Sequence, residues 1–121
     1  MFSLLNGEYC NNIMSLYGSY IKERLNKDIL EDDKGFATFY FVNDGVYIED
    51  LYTLPQYRQT GHAARLADKI ALIAKEQGYN KMFGTIVPTA QGSTEGMKVL
   101  LAYGFKLRDA QNGFITLEKA I

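Results

Sequence analysis

A chain of 121 residues, 47% hydrophobic and 22% charged, has the size of one domain with a single buried core and is too short for two. A formal net charge of -1 argues against an electrostatic grip on nucleic acid; no stretch has the apolar length of a membrane span, and Met1 to Leu5 is too short for a signal peptide. One cysteine, Cys10, and one histidine, His62, exclude an internal disulfide framework and a self-sufficient zinc site, so we expect no metal and a reducing, cytoplasmic setting.

Met1 to Leu5 reads as a short edge strand or a frayed end, and five residues do not decide between them. From Glu8 to Lys27 the apolar residues Ile13, Leu16, Tyr17, Tyr20, Ile21 and Leu25 recur at helical spacing, which predicts one buried face used for core packing or for lining a substrate pocket. Gly18 weakens the middle of that helix by roughly 1 kcal/mol relative to alanine and marks a bend or a break. Asp28 to Gly35, with Glu31, Asp32 and Asp33 in a row, reads as a solvated loop, the alternative being a rim that attracts cations. Phe36 to Val42 and Val46 to Leu54 are strands joined by the Asn43-Asp44-Gly45 turn into an antiparallel hairpin, and Pro55 ends the second.

His62 to Gln77 places Ala63, Leu66, Ala67, Ile70, Ile73 and Ala74 on one helical face, with Gly78 as the stop. A helix of that length returns the chain across the sheet, so Lys81 to Val87 is expected to run parallel to Val46 to Leu54 through a right-handed crossover. After Pro88 and Gly92, Ser93 is a plausible N-cap for a helix from about Thr94 to Tyr103 that turns Met97, Leu100 and Leu101 inward and stops at Gly104. Phe105 to Asp109 and Phe114 to Lys119 form a second hairpin around Gln111-Asn112-Gly113. There is no repeat and no linker, and the fold class is α/β with a mixed sheet.

The strand, loop and helix from Val46 to Ala64 make an anion site. Backbone NH groups of a turn flowing into a helix converge on one spot, with the positive end of the helix dipole behind them. Gly61 suits such a turn because a residue without Cβ takes positive φ and lets a ligand approach the backbone. Arg58-x-x-Gly61-x-Ala63, following IEDLYTLPQY, resembles the acyl-CoA signature of the GNAT superfamily, the Gcn5-related N-acetyltransferases, which reads Gln/Arg-x-x-Gly-x-Gly/Ala. The resemblance runs from about Ala37 to the C-terminus and includes a helix ending in Tyr103-Gly104-Phe105, where the family closes its second cofactor helix with Gly-Phe. It implies a mixed central sheet of the α+β kind, helices on both faces, and two parallel strands that splay apart at a cofactor cleft. Only about 45 residues precede the cofactor strand. One early strand, with or without a helix, is therefore expected to be missing or vestigial on the side that shapes the acceptor pocket in many relatives.

The resemblance also assigns roles. It puts the pantetheine arm of acetyl-CoA against the backbone of Leu51, Tyr52 and Thr53, with an NH near Leu51 as oxyanion donor and Lys81 to Val87 as the facing strand. Pyrophosphate binding falls to Arg58, Gln59, Thr60, Gly61, His62 and Ala63; for Arg58 a plain surface charge is the competing reading. Ser93 stands where relatives often have asparagine at the start of the second cofactor helix. Glu49 stands where many relatives carry a glutamate that takes the proton of the amine; the alternative is a structural acid at a strand end or bulge. Asp50 binds a cationic amine or caps a loop, and strict alternation sends it to the opposite face from Glu49 unless a bulge intervenes. Where relatives commonly have a tyrosine that protonates the leaving thiolate, this chain has Leu100. Tyr103, three residues on, is either a substitute general acid or a packing residue, and water is the other proton source.

No G-x-S-x-G elbow, Walker A or dinucleotide glycine pattern is present. The expected activity is transfer of an acetyl group from acetyl-CoA directly to a primary amine of a small molecule or protein, by a monomer or homodimer that engages neither nucleic acid nor membrane. The rival is a non-catalytic member of the same fold that binds CoA or a protein partner.

Overall fold

The computed structural model describes residues 15–121, so the reading of Met1 to Leu5 and the start of the helix predicted from Glu8 lie outside the described residues. In chain order the elements are α1 (Leu16–Leu25), β1 (Asp28–Glu31), β2 (Gly35–Val42), β3 (Gly45–Thr53), a 3-10 turn (Pro55–Tyr57), α2 (His62–Glu76), β4 (Lys81–Ile86), α3 (Ser93–Tyr103), β5 (Lys106–Gln111) and β6 (Phe114–Ala120). The six strands form one sheet in the order β1-β2-β3-β4-β6-β5. Every neighbouring pair is antiparallel except β3 and β4, which are parallel and joined through α2.

The core lies between the sheet and α2 and α3. Ala37, Phe39, Val46 and Ile48 point from β2 and β3 onto Leu66, Ala67, Ile70 and Ala74 of α2, and Leu100, Phe105 and Leu117 extend the cluster under α3. α2 buries the face that its spacing predicted, because apolar residues three and four apart stack on one side of a helix.

Three expectations are corrected. First, the acidic stretch is not all loop: Asp28–Glu31 pairs with β2, and Leu30, opposite Ala37, is 8% exposed in the core. A four-residue strand with two apolar residues is too short to show a period. Second, α1 runs unbroken through Gly18, with Ser15 Oγ accepting from Gly18 NH at 2.9 Å and Asn26 closing it in the left-handed conformation. It buries only Gly18 and Ile21; Tyr17, Tyr20 and Leu25 are each 52% exposed and Leu16 more so, leaving a far narrower stripe than the expected face. Third, the N-cap of α3 is Gly92, with φ 82°, and Ser93 is the first helical residue; Leu100 is buried but Leu101 faces out. Among the described residues no strand precedes α1, and no helix is long and apolar enough to cross a membrane.

The feature that positions the site is the seam between β3 and β4. It holds Val46 opposite Met82, Tyr47 opposite Phe83 and Ile48 opposite Gly84, and there it stops. β3 continues along β2 as far as Thr53, while β4 continues along β6 as far as Ile86. The two parallel strands diverge at their C-terminal ends.

Candidate active site

At the parting point β3 carries an extra residue. Phe39 is paired with Ile48 and Thr38 with Asp50, which leaves Glu49 bulged out of the ladder. Paired residues share a face, so Asp50 lies on the Thr38 side, and Glu49, which follows core-facing Ile48, points the same way. The bulge thus brings both acids to one face, where alternation alone would have separated them. Thr38, 1% exposed, fastens it: its hydroxyl donates to Asp50 Oδ2 and accepts from Asp50 NH, each at 3.0 Å. Glu49 Oε1 accepts from Lys27 Nζ at 2.6 Å, and that bond pushes the Lys27 ammonium above the usual lysine range, against the opposing effect of burial.

Beyond the bulge, one edge of β3 is open. Asp50 NH is directed at Thr38 of β2, and Leu54 NH donates to Lys34 O in the turn leading into β2. Successive NH groups along a strand point to opposite edges, so those of Leu51 and Thr53 point across the gap toward β4. On the other side of the gap Gly84 lies under Leu100: a Cβ added at Gly84 would sit 3.1 Å from Leu100 Cδ1. Next to it, the Thr85 hydroxyl is buried with no hydrogen-bond partner among the described residues. A buried polar atom without a partner is costly. An open strand edge suits an extended amide-bearing ligand such as a pantetheine arm.

The loop that follows β3 can receive an anion. Gln59 (φ 64°) and Gly61 (φ 87°) both take the left-handed conformation, and no side chain among the described residues caps α2. Arg65 NH makes the first intrahelical bond, to Gly61 O at 3.0 Å, so the preceding NH groups of His62, Ala63 and Ala64 have no intrahelical acceptor. They converge with the helix dipole at one spot. Arg58 folds back onto the end of β3, its Nε donating to Thr53 O at 2.9 Å and its guanidinium 5.6 Å from the Tyr52 ring. The Thr60 hydroxyl donates to Tyr57 O and Arg65 Nη1 to Thr60 O, which holds the turn in shape.

His62, the first residue of α2, is 4% exposed and has both ring nitrogens engaged. Nδ1 lies 3.0 Å from Thr53 Oγ1, and Nε2 lies 3.0 Å from each carboxylate oxygen of Asp32. Asp32 belongs to the turn between β1 and β2. Burial alone would push its carboxyl up, but the NH of Lys34, the His62 ring and the NH of Gly35 outweigh that and hold it below the usual carboxylate range. An ionised carboxylate only accepts, so the ring nitrogen that faces it, Nε2, carries a proton. The sequence marked Asp32 as solvated; the local cue that did exist is Asp-x-x-Gly, the signature of a turn in which aspartate caps backbone NH groups.

Two other residues singled out by sequence lie further off. The Tyr103 hydroxyl donates to Asp68 Oδ1 on α2 at 2.5 Å, and burial first, then Asp68, pushes its pKa up. The Ser93 hydroxyl donates to Pro88 O at 2.9 Å, bracing the loop before α3.

An open parallel seam above an uncapped helix, with acids on a bulge beside it, defines an acyltransferase-like α/β domain. A family model described as the Acetyltransferase (GNAT) family matches residues 29–96, more than half of the sequence, and the chain belongs to that family. Among solved structures, the PaiA N-acetyltransferase of Thermoplasma acidophilum in complex with coenzyme A is similar at TM-score 0.68 and 20% identity, over 84% of this chain and 66% of that one. A GNAT family acetyltransferase of Elizabethkingia anophelis with acetyl-CoA bound gives 0.64 and 18% over 85% and 82%. One of Staphylococcus aureus Mu50 gives 0.67 and 14% over 84% and 74%. The chain thus spans about two thirds of the Thermoplasma protein's length, and at these identities the likeness is one of fold. No curated protein matches the sequence.

Proposed function

We propose that the protein is an acetyl-CoA-dependent N-acetyltransferase that moves the acetyl group directly to a primary amine. The observation that carries this reading is the seam that ends at Ile48 and Gly84, on the strand that leads into the Gly61 turn, leaving the NH groups of Leu51 and Thr53 directed at the gap and without a partner among the described residues. Acyl-CoA supplies an activated thioester, so no enzyme nucleophile is needed. Leu51, Tyr52 and Thr53 hold the pantetheine arm through their backbone. The NH of Leu51 stabilises charge on the carbonyl oxygen. Gln59 to Ala63 bind the pyrophosphate through backbone NH groups, with Arg58 fixing the end of β3.

Glu49 takes the proton of the attacking amine, directly or through water, and Asp50 on the same face attracts the cationic acceptor. The thiolate is protonated by water, because Tyr103 would have to leave Asp68 to serve it. The acceptor is a small-molecule or protein amine.

Release of free thiol from acetyl-CoA with a broad amine panel tests this. Turnover with at least one amine is expected; absence of CoA binding by calorimetry would reject the cofactor as well as the reaction. Leu100, packed over Gly84 where relatives carry a tyrosine, favours a second reading in which CoA binds without turnover. Tight CoA binding and no product with any amine would establish it.

A further inference from the structure

Asp32, Thr53 and His62 come from three separate elements, the β1–β2 turn, the end of β3 and the start of α2. They meet in one chain of hydrogen bonds beside the cofactor loop. The turn is pressed onto the site more closely than a side chain would allow. A Cβ at Gly35 would lie 2.1 Å from Tyr52 O and 2.9 Å from His62 Cε1. Lys34 O is already bound by Leu54 NH at 2.8 Å, so the backbone alone attaches this turn. The imidazole adds something the backbone does not, a direction.

We propose that Asp32 and His62 are positioning residues for the acyl-CoA cleft: the Asp32 carboxylate fixes the tautomer of His62, and His62 fixes the direction of the Thr53 hydroxyl. The proposal rests on the acyl-CoA reading above. With the proton on Nε2 and pointed at Asp32, Nδ1 is an acceptor and takes the hydrogen of the Thr53 hydroxyl. Thr53 Oγ1 then presents only lone pairs to anything else that reaches it, and so favours a ligand NH over a ligand carbonyl. The reversed tautomer would set a bare ring nitrogen against an ionised carboxylate, which the buried ring cannot relieve by exchanging to water. The charged groups near this chain include Asp32 and Lys34 on the turn, the latter's NH bound to Asp32, Arg58 on the loop, whose Nε binds the Thr53 carbonyl, and Arg65 one turn into α2. Neither arginine is bonded to the ring itself, so Asp32 alone sets its proton.

His62 is the only histidine, so long-range proton–nitrogen NMR of the intact chain reads its tautomer without ambiguity. The Nε2–H form is expected, and Asp32→Asn should shift the ring nitrogens toward a mixture of forms. Calorimetry with CoA provides the second readout. Asp32→Asn and Thr53→Val should each weaken CoA binding about tenfold, the loss of one well-directed bond, while Thr53→Ser keeps it within about twofold. Thr53→Val preserves the side-chain volume, so it serves if Asp32→Asn folds poorly. An Nδ1–H tautomer in the wild type would overturn the proposal. So would tight wild-type binding that Asp32→Asn and Thr53→Val leave unchanged, and that result would spare the acyl-CoA reading. A wild-type chain that binds no CoA would overturn both.

Discussion

Glu49 and Lys27 form a close ion pair, so the base of the proposed reaction already holds one ammonium before the acceptor arrives. If Glu49 handles the proton, Glu49→Gln keeps the shape and removes the base, and turnover should fall roughly a hundredfold with CoA affinity little changed. The deficit should shrink as pH rises, because more of the acceptor is then neutral. A pH series of kcat/KM for both proteins reads this directly. Asp32 gives a second, independent titration. Its folded carboxyl lies below the ordinary value of 3.8, so the unfolded chain binds its proton first as pH falls. The stability it contributes is full above that ordinary value and is lost as pH drops through the lower folded one. Urea unfolding between about pH 5 and 2 should therefore show a slope that Asp32→Asn flattens. Neither the Lys27–Glu49 nor the Asp32–His62 pairing was legible in the sequence. Lys27 lies 22 residues from Glu49 and Asp32 lies 30 from His62, and pairs made across a sheet leave no local spacing to read.

At the scale of elements the outcome divides by whether an element carries its own signal. β2, β3, α2 and β4 were legible because alternation, helical spacing and the prolines and glycines that bound them are written along the chain. The bulge at Glu49 was not, because it is a property of the pairing with β2 and not of either strand alone. The turn at Gly61 was legible in the sequence, and its φ of 87° makes a test of the proposed cofactor loop sharp. Gly61→Val forces a β-branched residue into the left-handed region at a cost of a few kcal/mol, and calorimetry should show CoA affinity lost even where the fold survives. On α3, Tyr103→Phe removes the bond to Asp68, so unfolding stability should drop by about 1 kcal/mol. Turnover should change little if water protonates the thiolate, which steady-state kinetics on the same preparation would show.

Across the whole molecule, the core is shared between sheet and helices in one cluster, with Ile70 fully buried at its middle. Ile70→Ala should cost about 2–5 kcal/mol in denaturant unfolding, a penalty that measures how far the helices hold the sheet together. That help is needed, because the sheet is joined across its centre by three residue pairs only. Mechanically the molecule is two three-stranded flaps, β1-β2-β3 and β4-β6-β5, basted together along one short hem and left unsewn beyond it. Such a sheet is weakest along its midline, and a ligand lying in the open length supplies the missing stitches. Binding of CoA should then stiffen the molecule as a unit and slow hydrogen exchange at the amides of Leu51 and Thr53, while a chain that filled its own gap would show no such change.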